Sequence, residues 1–203
     1  MNRSISRIGS AVVTVTVFLF AVCLITGFSF GSYFVCMLLP LGYLLMAAGF
    51  YCESHHDRRT AALAGLVFGA VYAALILLVY FAQTTVVRLE ELTPQAERLL
   101  DYGRGSLLFN YDLLGYGLLA LSTFFTGLSL KPQTGEGKWL KALMMLHGIF
   151  FPACFILPMT GLFAGMGDGE TGAAGVAALL VWCAWFLPVG ILAYRHFGRG
   201  YSE

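Results

Sequence analysis

Charged side chains are scarce in this sequence, since only 11% of its 203 residues are Asp, Glu, Lys or Arg. An average soluble domain carries about 25%. A chain with so few charges and 59% hydrophobic residues has too few polar groups to face water on all sides. The composition therefore excludes an ordinary soluble enzyme, a nucleic-acid-binding protein and a disordered segment, and it predicts a protein of the lipid bilayer.

The sequence also lacks the motifs that mark most enzymes and metal proteins. It has no HExxH, Walker lysine or haem-attachment motif, and its five cysteines form no CxxC. The cysteine pairs in outer loops that a disulfide framework needs are missing as well. We therefore expect no cofactor, no metal site and no nucleic-acid partner, and the absence of catalytic motifs disfavours an enzyme.

Long uncharged runs dominate what is present. Forty-five residues separate Arg7 from Glu53 without a charged side chain, which is enough for two spans of about 20 residues. A glycine and serine cluster at 27–32 marks the break between them. Four further runs are each long enough for one helix. The sequence thus predicts an all-α polytopic membrane protein, a single bundle over 1–203 with six transmembrane helices, at about 8–30, 33–51, 60–83, 107–130, 139–160 and 172–195.

The basic residues are distributed unevenly between the two ends of the predicted bundle. With six crossings, nine of the twelve Lys and Arg residues fall on the side that holds both termini. The positive-inside rule places that side in the cytoplasm. We therefore expect an integral membrane protein with its N- and C-termini inside.

The longest connection lies between the third and fourth helices. Thr93-Pro94 is typical of an N-cap followed by proline at the first helical position. An apolar stripe and a terminating glycine follow, at Leu92, Ala96, Leu99 and Leu100, and then Gly103 or Gly105. This pattern predicts a short amphipathic helix on the outer surface. We interpret this helix as a lid that closes the bundle, and a gate for a ligand is the alternative.

Asp112 is the single charged side chain that lies more than one turn inside a predicted span. It lies about a turn and a half below the outer end of the fourth helix. A carboxylate costs ~2.5–3.5 kcal/mol near the bilayer centre, so it should face the bundle or a water-filled cavity. Tyr116 shares its helix face one turn later, and Asn110 adds a polar group nearby. The functional interpretation is a proton or cation site; the alternative is a carboxyl that locks helices together or snorkels to the outer headgroups.

His147 is the second candidate, near the middle of the fifth helix. The fourth and fifth helices should be antiparallel neighbours, which places His147 about 8–12 Å deeper than Asp112. A water or a bridging tyrosine could span that gap. Pro152 and Pro158 interrupt the helix beyond His147, as transport sites often require. A neutral core histidine bonded to a carbonyl is the alternative.

Small residues recur at four-residue spacing in the third helix, at Ala61, Gly65, Gly69 and Ala73. Such a face lets another helix approach closely. We favour a partner helix within the same bundle. A homodimer or another membrane protein is the alternative, besides the membrane lipids that any such bundle contacts.

The segment Phe109–Gly117, which reads FNYDLLGYG, and the opening Ser6–Gly9 resemble small uncharacterised bacterial six-span membrane proteins. The resemblance implies a location in the bacterial inner membrane and carries no activity. From the residues themselves we expect a transporter of a small solute or ion, proton-linked, with a polar site around Asp112 and His147. The alternative is a non-catalytic membrane scaffold or an accessory subunit of a larger complex.

Overall fold

The computed structural model describes residues 2–102, 106–161 and 172–199 of the protein. Within these ranges the chain is helical and contains no strand. Six of the described helical segments are long and apolar enough to cross a membrane. The prediction of an all-α protein with six membrane-spanning segments is therefore confirmed.

The helices of the described residues follow the predicted order. They are α1 (Asn2–Thr26), α2 (Ser29–Glu53), α3 (Arg59–Thr84), α4 (Val86–Leu89), α5 (Pro94–Leu100), α6 (Leu107–Ser129), α7 (Gly135–His147), α8 (Phe150–Ile156) and α9 (Gly172–Gly198). Single 3-10 turns occur at His56–Arg58 and Leu157–Thr160. The fifth span consists of α7, α8 and the second of these turns, whereas each of the other five is built on one long helix.

The first helix is displaced from its predicted range of 8–30. It begins at Asn2, because helical hydrogen bonding continues past the charged residues that border the membrane. It ends at Thr26, because Gly27 adopts a positive φ of 69° that residues with a Cβ rarely take. Phe28 then donates its N–H to the Cys23 carbonyl at 2.9 Å, as in a Schellman C-cap.

The spans form a closed ring in the order α1, α2, α3, α6, α7 with α8, and α9, which returns to α1. Aromatic side chains fill the middle of this ring. Tyr43, Tyr72 and Phe186 are each at most 1% exposed. The Tyr43 ring lies 5.9 Å from that of Tyr72 and 6.3 Å from that of Phe186, which is normal aromatic packing. At mid-depth the described part of the bundle is therefore a packed core.

The small-residue face of α3 packs inside the bundle, against α6 and α2. A Cβ on Gly65 would lie 2.5 Å from Thr126 Oγ1 and 3.0 Å from the Ser122 carbonyl oxygen. A Cβ on Gly69 would lie 3.0 Å from both Ser122 Oγ and the Tyr43 ring. The four residues of the face are buried or half-buried: Ala61, Gly65, Gly69 and Ala73. The close helix approach that this face permits thus occurs between α3 and α6 of one chain.

Both described ends of the chain lie at the same end of the bundle. Arg3 Nη1 donates to the Arg199 carbonyl oxygen at 2.6 Å, and Arg3 Nε pairs with Glu53 at 2.6 Å. The second carboxyl oxygen of Glu53 lies 2.7 Å from His196 Nε2. These contacts join the beginning of α1, the end of α2 and the end of α9, so we call this the terminal end and the opposite one the outer end.

The connection at the outer end is held against α3. The Thr93 side chain accepts a backbone N–H of the first turn of α5, as an N-cap does. At the other end of α5, Gln83 Nε2 donates to the Leu100 carbonyl oxygen at 2.6 Å. The helix ends at Leu100, and the glycines at 103 and 105 lie outside the described residues. Gln83 of α3 therefore holds the end of α5 in place.

Candidate functional site

Asp112 is buried near the start of α6, with only 2% of its surface exposed. Ser106 caps this helix by accepting the Phe109 N–H at 3.2 Å, which places Asp112 in the second turn. The neighbouring polar candidate, Asn110, donates its amide to the Ser106 carbonyl oxygen at 3.0 Å. Asn110 therefore supports the first turn of α6, while the Asp112 carboxyl points into the ring of helices.

One oxygen of the Asp112 carboxyl has a clear partner. Its Oδ2 accepts a hydrogen bond of 2.8 Å from the hydroxyl of Tyr102, which lies between α5 and α6. Burial, followed by the nearby Asp112 carboxylate, raises the pKa of the Tyr102 hydroxyl well above its usual range. Tyr102 is therefore a neutral phenol that donates, and the outer connection supplies the hydrogen bond that the carboxyl receives.

The other oxygen of Asp112, Oδ1, is buried without a hydrogen-bond partner among the described residues. The Tyr80 hydroxyl also interacts with the carboxyl, but it does not reach Oδ1 with normal hydrogen-bond geometry. Leaving a buried polar atom unpaired costs ~1–3 kcal/mol, and native interiors contain few such atoms. An unpaired carboxyl oxygen of this kind is able to take up a proton or a small cation.

Three tyrosines, which we call the tyrosine cluster, surround this carboxyl: Tyr33, Tyr80 and Tyr102. Tyr33 comes from the beginning of α2 and Tyr80 from the last turns of α3. Their ring centroids are 5.5 Å apart, and the Tyr102 ring lies 6.0 Å from Tyr33 and 6.2 Å from Tyr80. Aromatic faces carry partial negative charge and so reinforce the attraction of a carboxylate for a cation.

His147, at the end of α7, is 1% exposed and fully hydrogen-bonded. Trp182 Nε1 donates to its Nε2 at 3.0 Å. Since an indole N–H can only donate, Nε2 must be an acceptor and the neutral ring carries its hydrogen on Nδ1. That nitrogen lies 2.8 Å from Thr123 Oγ1, whose own hydrogen goes to the Ala120 carbonyl oxygen at 2.9 Å. His147 therefore ties α6, α7 and α9 together and has no nitrogen left for a solute.

Tyr116 lies between the two candidates without bonding to either. Its hydroxyl is 3.7 Å from Cys36 Sγ, and its ring centroid is 5.3 Å from that of Trp182. The Tyr116 hydroxyl therefore does not bridge Asp112 and His147, and its ring contacts the indole that holds His147. The structure thus divides the expected polar site into an outer carboxyl and a histidine that is part of the packed core.

The fifth span is broken directly after His147. Gly148 and the next residue form a turn between α7 and α8. Pro152 explains this position, because a proline ring clashes with the carbonyl four residues earlier, which belongs to Gly148. Pro158 is the second residue of the 3-10 turn that follows α8. The break therefore comes before both prolines, and α8 packs on α6 beside the candidate site.

Most partners of the two candidates were not predicted from the sequence. Tyr33 and Tyr80 lie at the outer ends of their spans, so comparing their depth with that of Asp112 could have found them. Tyr102 gives no such signal, because it lies between α5 and α6, beyond the apolar stripe of α5. Trp182 gives no signal either, because its hydrogen bond to His147 depends on how α9 packs against α7.

No family model, curated protein or solved structure matches this chain. In the described ranges, no three His, Cys, Asp or Glu side chains come together as a metal site would require. The candidate site is therefore interpreted from its own geometry, which consists of a buried carboxyl with one hydrogen bond inside a cluster of tyrosines.

Proposed function

We propose that this protein is a membrane transporter that moves a proton or another small cation, linked to a small solute, with Asp112 as the binding group. The observation that supports this function is the unpaired Oδ1 of Asp112. A carboxylate that has lost its hydration needs a proton, a cation or several donors, and Tyr102 provides a single hydrogen bond. Binding of a proton or cation then offsets the free-energy cost of burying the Asp112 carboxylate.

In this proposal the proton or cation reaches Asp112 from the outer end of the bundle. Tyr102 belongs to the connection that precedes α6, and Gln83 donates to the Leu100 carbonyl oxygen near the beginning of this segment. Loops and the ends of helices open at low free-energy cost compared with a packed core. Displacement of Tyr102 would expose the carboxyl to the outer solution and remove its donor in the same movement.

Release toward the terminal end requires a second movement. The broken fifth span provides a candidate, since α8 and the turn at Gly148 lie against α6. Discontinuous helices beside an ionisable residue are a recurring feature of transporters. The aromatic core at mid-depth must then shift when α8 moves, so the described state is one that is closed on that side.

The proposal is tested with Asp112→Asn in proteoliposomes. The amide has nearly the same shape and its oxygen can still accept from Tyr102, but it takes up no proton in the physiological range and lacks the negative charge that attracts a cation. We expect proton uptake under an imposed membrane potential, read with an enclosed pH dye, to fall to that of protein-free vesicles. Tyr102→Phe removes only the donor and should retain uptake with an altered pH dependence.

Asp57→Asn is the matched control, because it makes the same chemical change on a carboxyl that is 61% exposed at the terminal end. It should transport like the unmodified protein. Each variant must elute as a single species with an unchanged unfolding temperature before its flux is compared. Equal proton uptake in Asp112→Asn and Asp57→Asn, repeated with sodium as the test cation, would contradict the proposed function.

We further propose that the terminal end lies in the cytoplasm of a bacterial cell, with the protein in the inner membrane. The support is the concentration of Lys and Arg at that end. Cys52 offers the test, since it is exposed there while Cys36 and Cys183 are buried. With Cys52 as the sole cysteine, a membrane-impermeant maleimide should label inverted vesicles and leave spheroplasts unlabelled. A sole cysteine placed at Gln95, on α5, should show the reverse, and labelling of Cys52 from outside would contradict the orientation.

A non-catalytic scaffold or accessory subunit is the second candidate function. The aromatic core favours it, because Tyr43, Tyr72 and Phe186 fill the middle of the ring. The small-residue face of α3 no longer argues for a partner helix, since α6 occupies it. In a scaffold, Asp112 would only hold the outer connection in place. Asp112→Asn would then lower stability and leave proteoliposome flux at background for every chain, including the unmodified one.

A further inference from the structure

An apolar groove and a polar pocket meet at the terminal end of the bundle. The groove has a volume of about 640 Å³ and its wall includes Ala11, Val12 and Val15 of α1 and Leu38 of α2. The pocket has a volume of about 320 Å³ and lies between α9 and the beginning of α7. Both volumes are within the usual range of small-molecule sites, ~300–1,000 Å³. The two depressions share Arg7 and Tyr194, so they form one amphipathic surface.

The Arg7 side chain is held in position by α9. Its guanidinium lies over the Tyr194 ring, 4.4 Å from the centroid. The last turn of α9 closes on it, since a Cβ on Gly198 would lie 3.3 Å from Arg7 Cζ. A cation–π contact leaves the N–H donors of the guanidinium available. In the described part of the chain no carboxylate pairs with Arg7, although it borders an apolar groove.

The charge of the polar pocket is complementary to an anion. Arg195 Nη1 lies 3.1 Å from a Glu136 carboxyl oxygen, and Arg199 binds the other oxygen of the same carboxyl. The pocket therefore contains three guanidinium groups and one carboxylate, with Arg7 as the group that this carboxylate does not reach. An anion placed at Arg7 would be attracted by an excess of positive charge without displacing an existing ion pair.

We propose that this surface binds an anionic phospholipid, with its phosphate on Arg7 and an acyl chain in the groove along α1. A guanidinium matches the geometry of a phosphate, and the apolar groove gives an acyl chain a surface for van der Waals packing. Inorganic phosphate would use the polar pocket alone and leave the groove empty. Only a molecule with both parts fills the two adjoining depressions, and this inference does not depend on transport by Asp112.

The test is lipid binding to the full chain, measured by native mass spectrometry after detergent extraction. We expect more adducts with phosphatidylglycerol than with phosphatidylcholine of the same chains. Arg7→Gln should lower the phosphatidylglycerol adduct about fivefold, which is ~1 kcal/mol, and leave phosphatidylcholine binding unchanged. Arg7→Lys retains the charge and should lose less. Arg98→Gln, on the exposed face of α5, is the matched control and should bind as the unmodified protein does.

The groove is tested separately with Ala11→Phe, which fills it and leaves Arg7 intact. This variant should bind less phosphatidylglycerol, and millimolar inorganic phosphate should not displace the lipid from the unmodified protein. Three results would overturn the proposal: equal phosphatidylglycerol binding in Arg7→Gln and Arg98→Gln, unchanged binding in Ala11→Phe, or displacement by phosphate alone. If Arg7→Gln does not fold, Arg7→Lys tests the guanidinium in its place and Ala11→Phe tests the groove.

Discussion

Gly65→Val is expected to lower the free energy of unfolding by ~3 kcal/mol, a change of about a hundredfold in the folded-to-unfolded ratio. The new Cβ would lie 2.5 Å from Thr126 Oγ1 and 3.0 Å from two backbone atoms of α6, the Ser122 oxygen and the Thr126 nitrogen. Backbone atoms cannot move without their helix, so α3 and α6 must separate. The separation also breaks the 2.5 Å hydrogen bond from Ser122 Oγ to the Gly65 carbonyl oxygen.

Gly175→Val in α9 is the matched control, because a Cβ at Gly175 would meet nothing within 4 Å. Its effect should stay within about 0.5 kcal/mol. Both variants are measured by unfolding in the same detergent, with the oligomeric state determined by light scattering. Equal stability of the two variants would contradict the packing of α3 on α6. A Gly65→Val chain that stays stable but changes its oligomeric state would instead show that this face joins two copies.

Trp182→Phe is expected to cost ~2 kcal/mol, because it leaves His147 Nε2 as a buried acceptor without a donor. The aromatic packing at position 182 should persist, since the Trp182 ring stacks on Phe186 at 5.0 Å and a phenyl ring can do the same. Trp139→Phe makes the same change on a side chain that is 67% exposed, and it should be nearly neutral. A small effect of Trp182→Phe, equal to that of Trp139→Phe, would contradict the role of this hydrogen bond.

Two further readouts separate a structural His147 from one that carries solute. In a ¹⁵N spectrum the ring should show hydrogen on Nδ1 and an unprotonated Nε2, because Trp182 donates to the latter. A His147 ring with its hydrogen on Nε2 would be incompatible with the hydrogen bond from Trp182. Proton flux per folded molecule should be the same in Trp182→Phe and in the unmodified protein, since Asp112 has its own partner in Tyr102. A loss of proton flux per folded molecule in Trp182→Phe would indicate that His147 belongs to the candidate site.

The positions of the spans were predictable because charge is excluded from hydrocarbon over whole segments. The uncharged run between Arg7 and Glu53 allowed two helices, and Gly27 then ended the first of them by its backbone conformation. The break in the fifth span was less predictable. Pro152 indicates an interruption, but the clash occurs four residues earlier, so the turn lies at Gly148.

The candidate site was predictable only in part, for a related reason. A lone carboxyl inside a span must avoid lipid, so the burial of Asp112 followed from its position in the sequence. Its donor did not follow, because Tyr102 reaches it from the segment between α5 and α6, beyond the apolar stripe of α5. Asn110 and Tyr116 lie close to Asp112 along the helix, yet they bond to Ser106 and Cys36.

The scarcity of charge determined by itself that the chain has six segments long and apolar enough to cross a membrane, with one costly carboxyl inside. Those properties depend on the transfer of each segment from water to lipid, and that transfer depends on composition and length. Only the tertiary structure decided that one oxygen of Asp112 has no hydrogen-bond partner among the described residues, that His147 is fully bonded and that Arg7 borders an amphipathic surface. These properties depend on contacts between helices far apart in the chain, and local sequence patterns do not encode such contacts.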